Sequence, residues 1–514
     1  MFIISFLELL IKYIIFFVYF YLVGKSLFKL IPYLNRGKVE NRILYLNKNI
    51  LLPVFGFIFF GNILFIFNTF LPIDNLIINL IVILLILPAL TEIKNLKNYL
   101  NFKILTFKFL FNYLIIPSIL VISTFDISYN YDAGFYHLLH QNWIRNSNLI
   151  IGMVNIFWPF GMSSIYEYVS AFLWFDISFV LLHFINLFFI HFFYLFLTEN
   201  LIQSKNKYLI NASFFVLVFS ILDNFGYGGG RNGFLYIQGV TKQDVTVGIL
   251  FFFLSLVMLL KIKDLDITNQ ELVLISFILF FMYQIKVSGV LIVYLYIILL
   301  FNQILKKRHT IFDIIKLNLP VLTLASMWVL KSVYTTGCII YPVNVTCLNV
   351  FDWYINGSTK SFEGITKYAS LAYDGSIPFL EWTQISGSFE YRNQVFSNFV
   401  ISIFILLIIK LFLFKKSDVS NAHKSIAISF IFFSILYFVY FGPIPRYALG
   451  ICIFSAGFIG LISSQKSFRI SNNFSYVLIF VSVLFLVRST AYSALITNNE
   501  LKLFDPRTNY EINY

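Results

Sequence analysis

Two aspartates are the first candidates for chemistry. Asp132 stands in Tyr131-Asp132-Ala133-Gly134, directly after an apolar run, and Asp244 stands in Thr241-Lys242-Gln243-Asp244-Val245, directly before one. A carboxylate at the lip of a membrane is partly desolvated, which raises its pKa and suits it to act as a general base. Aspartate is also a favoured N-cap, and a helix is expected after each, so capping is the plain alternative for both. Two acids at corresponding helix entrances, in a chain with 24 Asp and Glu against 37 Lys and Arg, point beyond capping.

The remaining candidates lie near other breaks in the apolar pattern. Lys286, in Gln284-Ile285-Lys286-Val287-Ser288-Gly289, could snorkel to lipid headgroups or meet a phosphate. Arg446 follows two prolines in Gly442-Pro443-Ile444-Pro445-Arg446-Tyr447, a fixed turn that offers a guanidinium suited to bidentate phosphate recognition. Tyr136 and His137 follow Asp132 closely and are candidate substrate-binding residues. His137 and His140 with Asp132 could make a metal site, although a free-standing His-x-x-His pair is common by chance. Asp176 and His183 read as hydrogen-bonded to one another inside a bundle. Cys338 and Cys347 flank Ile339-Ile340-Tyr341-Pro342; an oxidising compartment would permit a bridge, and free thiols are the alternative. The glycine-rich stretch from Gly226 to Gly233 has no strand before it, so it reads as a flexible turn rather than a nucleotide loop.

Membrane helices must position these residues. The 514 residues are 59% hydrophobic and 12% charged, with a mean hydropathy of +0.83. Apolar runs of about twenty residues recur along the chain, each long enough to cross a hydrocarbon core of roughly 30 Å. The runs are continuous rather than alternating, which selects helices over a barrel. The expected class is all-α, a polytopic membrane protein with about fourteen transmembrane helices. They fall near 1–23, 50–70, 76–92, 105–122, 167–198, 208–223, 243–262, 270–285, 287–303, 312–334, 395–414, 424–441, 446–463 and 474–490. The stretch 163–198 is long for one span and could be a short interfacial helix followed by a span, hinged near Asp176, and 270–303 reads as a hairpin with Lys286 at its tip. The start, Met1 to about Val23, lacks a basic leader and a small-residue cleavage site, so it reads as a first membrane helix rather than a signal peptide.

The chain reads as one membrane domain over 1–514. It comprises N-terminal helices in 1–104, a core over 105–334 with loops at 123–166 and 224–242, a cap at 335–394, and C-terminal helices and tail over 395–514. From Phe135, the residues Phe135, Leu138, Leu139 and Trp143 recur on one side and His137, Gln141 and Arg145 on the other, the pattern of an interfacial amphipathic helix with its aromatic side toward lipid. The cap carries Trp353, Tyr354, Tyr373 and Trp382, suited to stacking on sugar rings or resting on headgroups.

A net charge of +13 and a pI near 9.3 would suggest nucleic acid in a soluble protein. Here the basic residues sit mostly in short loops, which is a topology signal and excludes nucleic acid. Loops carrying Lys25, Lys29, Arg36, Lys38, Arg42 and Lys48, then Lys94 to Lys108, Lys205 and Lys207, Lys261 and Lys263, Lys306 to Arg308, Lys415 to Lys424, and Lys466 with Arg469 are expected to be cytoplasmic. The loops 123–166, 224–242, 335–394 and 443–446, and the tail after 490, are expected to face outward. Three cysteines exclude a disulfide framework or a thiolate metal cluster.

This layout resembles the GT-C class of membrane glycosyltransferases, which includes the protein O-mannosyltransferases, the oligosaccharyltransferases and the bacterial aminoarabinose transferases. The likeness rests on Tyr131-Asp132-x-Gly134-x-Tyr136-His137, Lys242-x-Asp244 and Pro445-Arg446-Tyr447, and in layout covers about 105–463. Asp132 is followed by Ala133 where several members carry a second acid, and the first three helices are extra to the usual core. The resemblance implies transfer of a sugar from a polyprenyl-phosphate-linked donor to a glycan, lipid or protein acceptor on the outer face of the bacterial inner membrane. It implies that Asp132 deprotonates the acceptor hydroxyl, that Lys286 and Arg446 hold the leaving phosphate, and that Asp244 positions the acceptor or a divalent cation, Mg or Mn. The rival expectations are another surface-polysaccharide assembly protein, a polymerase or ligase leaning on outer arginines, and a transporter or flippase, which would place its charges at mid-membrane.

Overall fold

The computed structural model describes residues 2–31, 42–91, 106–129, 131–175, 179–225, 233–264, 267–355, 357–371, 390–413, 419–441, 444–463 and 471–497. The fold is all-α, with one two-stranded hairpin among the described residues, Arg42–Ile43 against Leu46–Asn47. Among the described residues ten helices are long and apolar enough to cross a membrane, or up to eleven if the bent pair Asn472–Leu486 and Ser489–Ile496 is one span. Three more apolar helices, Leu76–Leu90, Asn269–Ile285 and Pro445–Leu461, are shorter. The long stretch at 163–198 is two helices, Ile165–Phe172 and Val180–Ile202. The hinge residue expected there, Asp176, lies outside the described residues.

Phenylalanine fills the core. On Val180–Ile202, Phe184 meets Tyr13 edge to face at 5.3 Å, and Phe188 stacks on Phe57 at 5.6 Å. Such pairs hold helices together where no hydrophobic effect separates protein from lipid. The helices Phe2–Leu30 and Lys48–Asn68 cross with backbones in contact: a Cβ on Gly24 would lie 1.9 Å from Leu52 O, and one on Gly56 would lie 1.9 Å from Phe20 O. The N-terminal helices are therefore built into the core.

Charges collect at the two ends of the bundle. Asp244 and Lys261 lie in the first and last turns of one 21-residue helix, Asp244–Asp264, about 30 Å long. At the Lys261 end, Lys261 pairs with Glu271 at 2.8 Å, and Arg42 and Lys108 pair with Glu199 at 3.3 and 2.7 Å. These cations belong to the set expected to be cytoplasmic. Arg36, Lys38, Lys94, Lys97, Lys103, Lys415, Lys416, Lys466 and Arg469 lie outside the described residues.

The Asp244 end gathers the other loops. A parallel bridge joins Tyr129 to Val240, with Val240 N donating to Ser128 O at 3.0 Å, so the two acidic loops run side by side. Cys338 and Cys347 form a disulfide. The segment they close docks on the first loop, where Tyr341 Oη donates to Trp158 O at 3.0 Å, and Phe362, further along the chain, stacks on Trp158 at 5.5 Å.

Candidate functional site

A cavity of about 790 Å³ opens at this end of the bundle. Asp132, Tyr136, His137, Asp244, Lys286 and Arg446, the six residues singled out from sequence, all line it. Lys242 and Lys331 line it as well.

Local backbone explains the convergence. The turn Ala133–His137 is π-helical, and its wider repeat brings Asp132, Tyr136 and His137 to one side. Thr241, β-branched, has φ of 70°, a costly conformation that turns the chain from the Val240 bridge into the helix beginning at Asp244. The side chain of Gln238 accepts from Val245 N at 3.1 Å and covers that helix start. Lys286 ends the helix Asn269–Ile285 in extended conformation before the chain doubles back, and Arg446 stands in the turn Pro445–Ala448. Of the glycine-rich turn only Gly233 is described; residues 226–232 lie outside the described residues.

The two aspartates differ. Asp132 does not cap a helix, since its backbone is already helical and its side chain makes no capping bond. Lys242 Nζ donates to its Oδ2 instead. Burial acts to raise the Asp132 pKa, but the Lys242 ammonium outweighs it, with His137 and Arg446 adding to the effect, and the carboxyl is held below its ordinary value. The expected upward shift is thus reversed, because desolvation comes with a paired cation. Asp244 is the buried one, its side chain 5% exposed against 33% for Asp132. Its Oδ1 accepts from Lys286 Nζ at 2.5 Å and its Oδ2 lies 3.2 Å from Arg446 Nε. Burial works against the Lys286 charge, yet Asp244 outweighs it and holds the ammonium above the ordinary lysine range. Asp244 therefore holds two cations in place at the cavity wall, which it also lines. Lys286 also stands 3.5 Å from the Tyr447 ring centroid.

The carboxylates do not fit a divalent cation. Each is already matched by ammonium or guanidinium, a donor set suited to an anion. Among the described residues no group of three or more His, Cys, Asp or Glu is placed to hold a metal. His137 and His140, weighed as ligands beside Asp132, turn to Glu167 instead. Their Nδ1 atoms lie 2.7 Å from its Oε1 and Oε2. His183 pairs with Ser123 at 2.9 Å; its expected partner Asp176 is not described.

Glu167 and Lys331 are missed by sequence reasoning. Glu167 lies three residues after Ser164, and the two form a capping box, a pattern visible in the sequence. Burial acts to raise its pKa, but His140 and His137 outweigh that and hold the carboxyl well below the usual range. Lys331 is a cation near the site end of a membrane-length helix, Ile311–Thr336, itself a signal. No described carboxylate is within salt-bridge distance of it, and its ammonium stands 4.8 Å from the Trp328 ring centroid.

The first-loop helix turns its polar side inward. His140 and Gln141 are buried, while Leu139 and Trp143 are exposed; Phe135 is exposed but lines the cavity, and Leu138, expected among them, is buried. Trp353 stacks on Phe351, and Tyr354 bonds Thr359 at 3.1 Å; neither lines the cavity, whose cap wall is Ile339, Ile340, Tyr341, Pro342 and Ile365. Tyr373 and Trp382 lie outside the described residues. Below the charged groups the wall becomes apolar, with Val247, Gly248 and Phe251 in the first turns of a membrane-length helix and Ile451 beside them.

No curated protein and no solved structure matches the chain. One family matches along residues 6–453, from the first helix past Arg446, and the chain belongs to it: the family described as Domain of unknown function (DUF8201).

Proposed function

We propose that this protein is a GT-C-like glycosyltransferase that moves a sugar from a polyprenyl-phosphate-linked donor to a glycan, lipid or protein acceptor. The observation that carries the reading is the convergence of Asp132, Lys242, Asp244, Lys286 and Arg446 on one cavity whose lower wall is apolar. A polyprenyl phosphate has the same division, with its chain in hydrocarbon and its charge at the interface. Lys286 and Arg446, 30% and 29% exposed on their side chains, are open to a phosphate while Asp244 fixes them from behind. Cations already in place where charge develops on the leaving group stabilise the transition state without reorganisation. Asp132 is the accessible carboxylate and receives the acceptor hydroxyl as a hydrogen-bond acceptor.

The outward face of a bacterial inner membrane is the proposed location. Two observations support it: basic loops crowd the far end of the bundle, and a disulfide closes the cap segment at the site end. The test is to incubate purified protein with a panel of polyprenyl-phosphate sugars and acceptors. Release of polyprenyl phosphate matched by a glycosylated product supports the reading. Translocation of intact donor without bond cleavage would replace it with a flippase, and chain extension from a diphosphate-linked glycan with a polymerase.

A further inference from the structure

We propose that His137, oriented by Glu167, is the general base that takes the acceptor's proton; this rests on the sugar-transfer reading. Glu167 is 1% exposed, and each of its oxygens meets a histidine Nδ1 at 2.7 Å. Its Oε2 also accepts from Ser164 N at 3.1 Å, so the carboxylate is fixed from three directions. An ionised carboxylate can only accept, which places the proton of each neutral imidazole on Nδ1 and leaves the lone pair on Nε2.

The two histidines differ in what lies before that lone pair. His137 lines the cavity. His140 does not, and its ring stacks on Phe160 with centroids 5.3 Å apart. Glu167 thus serves one histidine as an anchor and the other as an orienting group. Asp132, tied to Lys242, is poorly matched to proton abstraction, because a carboxylate stabilised as the anion is a weak base. Imidazole is the side chain whose ordinary range lies nearest neutrality.

The acceptor oxygen bonds to the anomeric carbon as the bond from that carbon to the phosphate oxygen breaks. The electron pair leaves with the polyprenyl phosphate and meets Lys286 and Arg446. The acceptor proton passes to His137 Nε2, and the Glu167 carboxylate stabilises the imidazolium without taking the proton.

Two measurements test this. His137→Asn keeps an N–H donor for Glu167 but has no Nε2. Its transfer rate should fall by roughly two to four orders of magnitude and recover in part with added imidazole, while His140→Asn should lose no more than about tenfold. Equal losses in both variants without imidazole recovery would reduce the cluster to a helix clamp. The second measurement needs no turnover: diethyl pyrocarbonate should carbethoxylate His137 at Nε2 faster than His140, with polyprenyl monophosphate protecting it. A His137 that is unreactive, or no faster than His140, overturns the proposal even if sugar transfer is observed. A reactive, protected His137 in a protein that transfers no sugar would retain the dyad and remove the transferase reading.

Discussion

Lys242 donates to Asp132 across 110 residues of sequence, tying the loop that follows one helix to the loop that precedes another. The same ammonium acts electrostatically on Asp244, so the two acidic loops share one cation. The site is thus an alternating array of carboxylates and cations, with Asp132 and the ends of Lys286 and Arg446 turned toward the cavity.

Lys242→Met should leave Asp132 half-buried without its cation. Because Asp132 is 33% exposed, the expected loss is modest, about 1 kcal/mol. The double variant Asp132→Asn with Lys242→Met should recover part of it. Thermal unfolding in detergent checks this, and strictly additive losses would show that the two residues do not interact.

Asp244→Asn should be more damaging than Asp132→Asn. Its carboxylate is 5% exposed and faces two cations, and removing one member of a buried charge cluster typically costs about 3–5 kcal/mol. The expected outcome is poor expression or a marked drop in melting temperature for Asp244→Asn, and near-normal folding for Asp132→Asn. A well-folded Asp244→Asn protein would show that Lys286 and Arg446 need no fixed counter-ion.

Removing the bridge by Cys338→Ser with Cys347→Ser should loosen the segment that roofs the cavity. A bridge across nine residues contributes about 2 kcal/mol, and its loss should raise KM for the donor more than it lowers kcat. Unchanged kinetics would separate the roof from catalysis.

Sidedness has its own test. Asn148 is exposed in the first loop, and Asn49 is exposed beside the hairpin at the far end. The native cysteines give little background, since Cys338 and Cys347 are bridged and Cys452 is buried. A cysteine at Asn148 should react with an impermeant thiol reagent in intact spheroplasts, and one at Asn49 should not. The reverse pattern would move the cavity to the cytoplasmic face.

Much of the site was legible because polar side chains are costly in so apolar a chain. Asp132, Asp244, Lys286 and Arg446 stand out wherever apolar runs break, and the structure gathers them. Their partners were not legible, because pairing across 110 residues is decided by how helices pack. The capping reading of Asp132 failed for that reason: a tertiary cation outbid a local backbone donor. Glu167 was hidden by a local role, since Ser164-x-x-Glu167 is explained by helix capping alone. The helices followed from continuous apolar runs. Local breaks, such as the π-turn at Ala133–His137, depend on hydrogen-bond geometry that periodicity does not encode. In the cap, Trp353 and Tyr354 pack on Phe351, Thr359 and the first loop and do not line the cavity, so aromatic content alone did not mark its wall.

Sugar transfer through cationic capture of the leaving phosphate is tested by steady-state assay of a polyprenyl-phosphate donor with purified wild-type protein and with Arg446→Ala. Arg446 lies against Asp244 yet leaves 29% of its side chain open to the cavity, so its removal should weaken both donor capture and leaving-group stabilisation. Wild-type protein should give measurable transfer, and the variant should show a fall in kcat/KM of roughly 10²–10³, the magnitude of losing one preorganised charge donor. Transfer by Arg446→Ala at the wild-type rate, in a protein that remains folded, would contradict it.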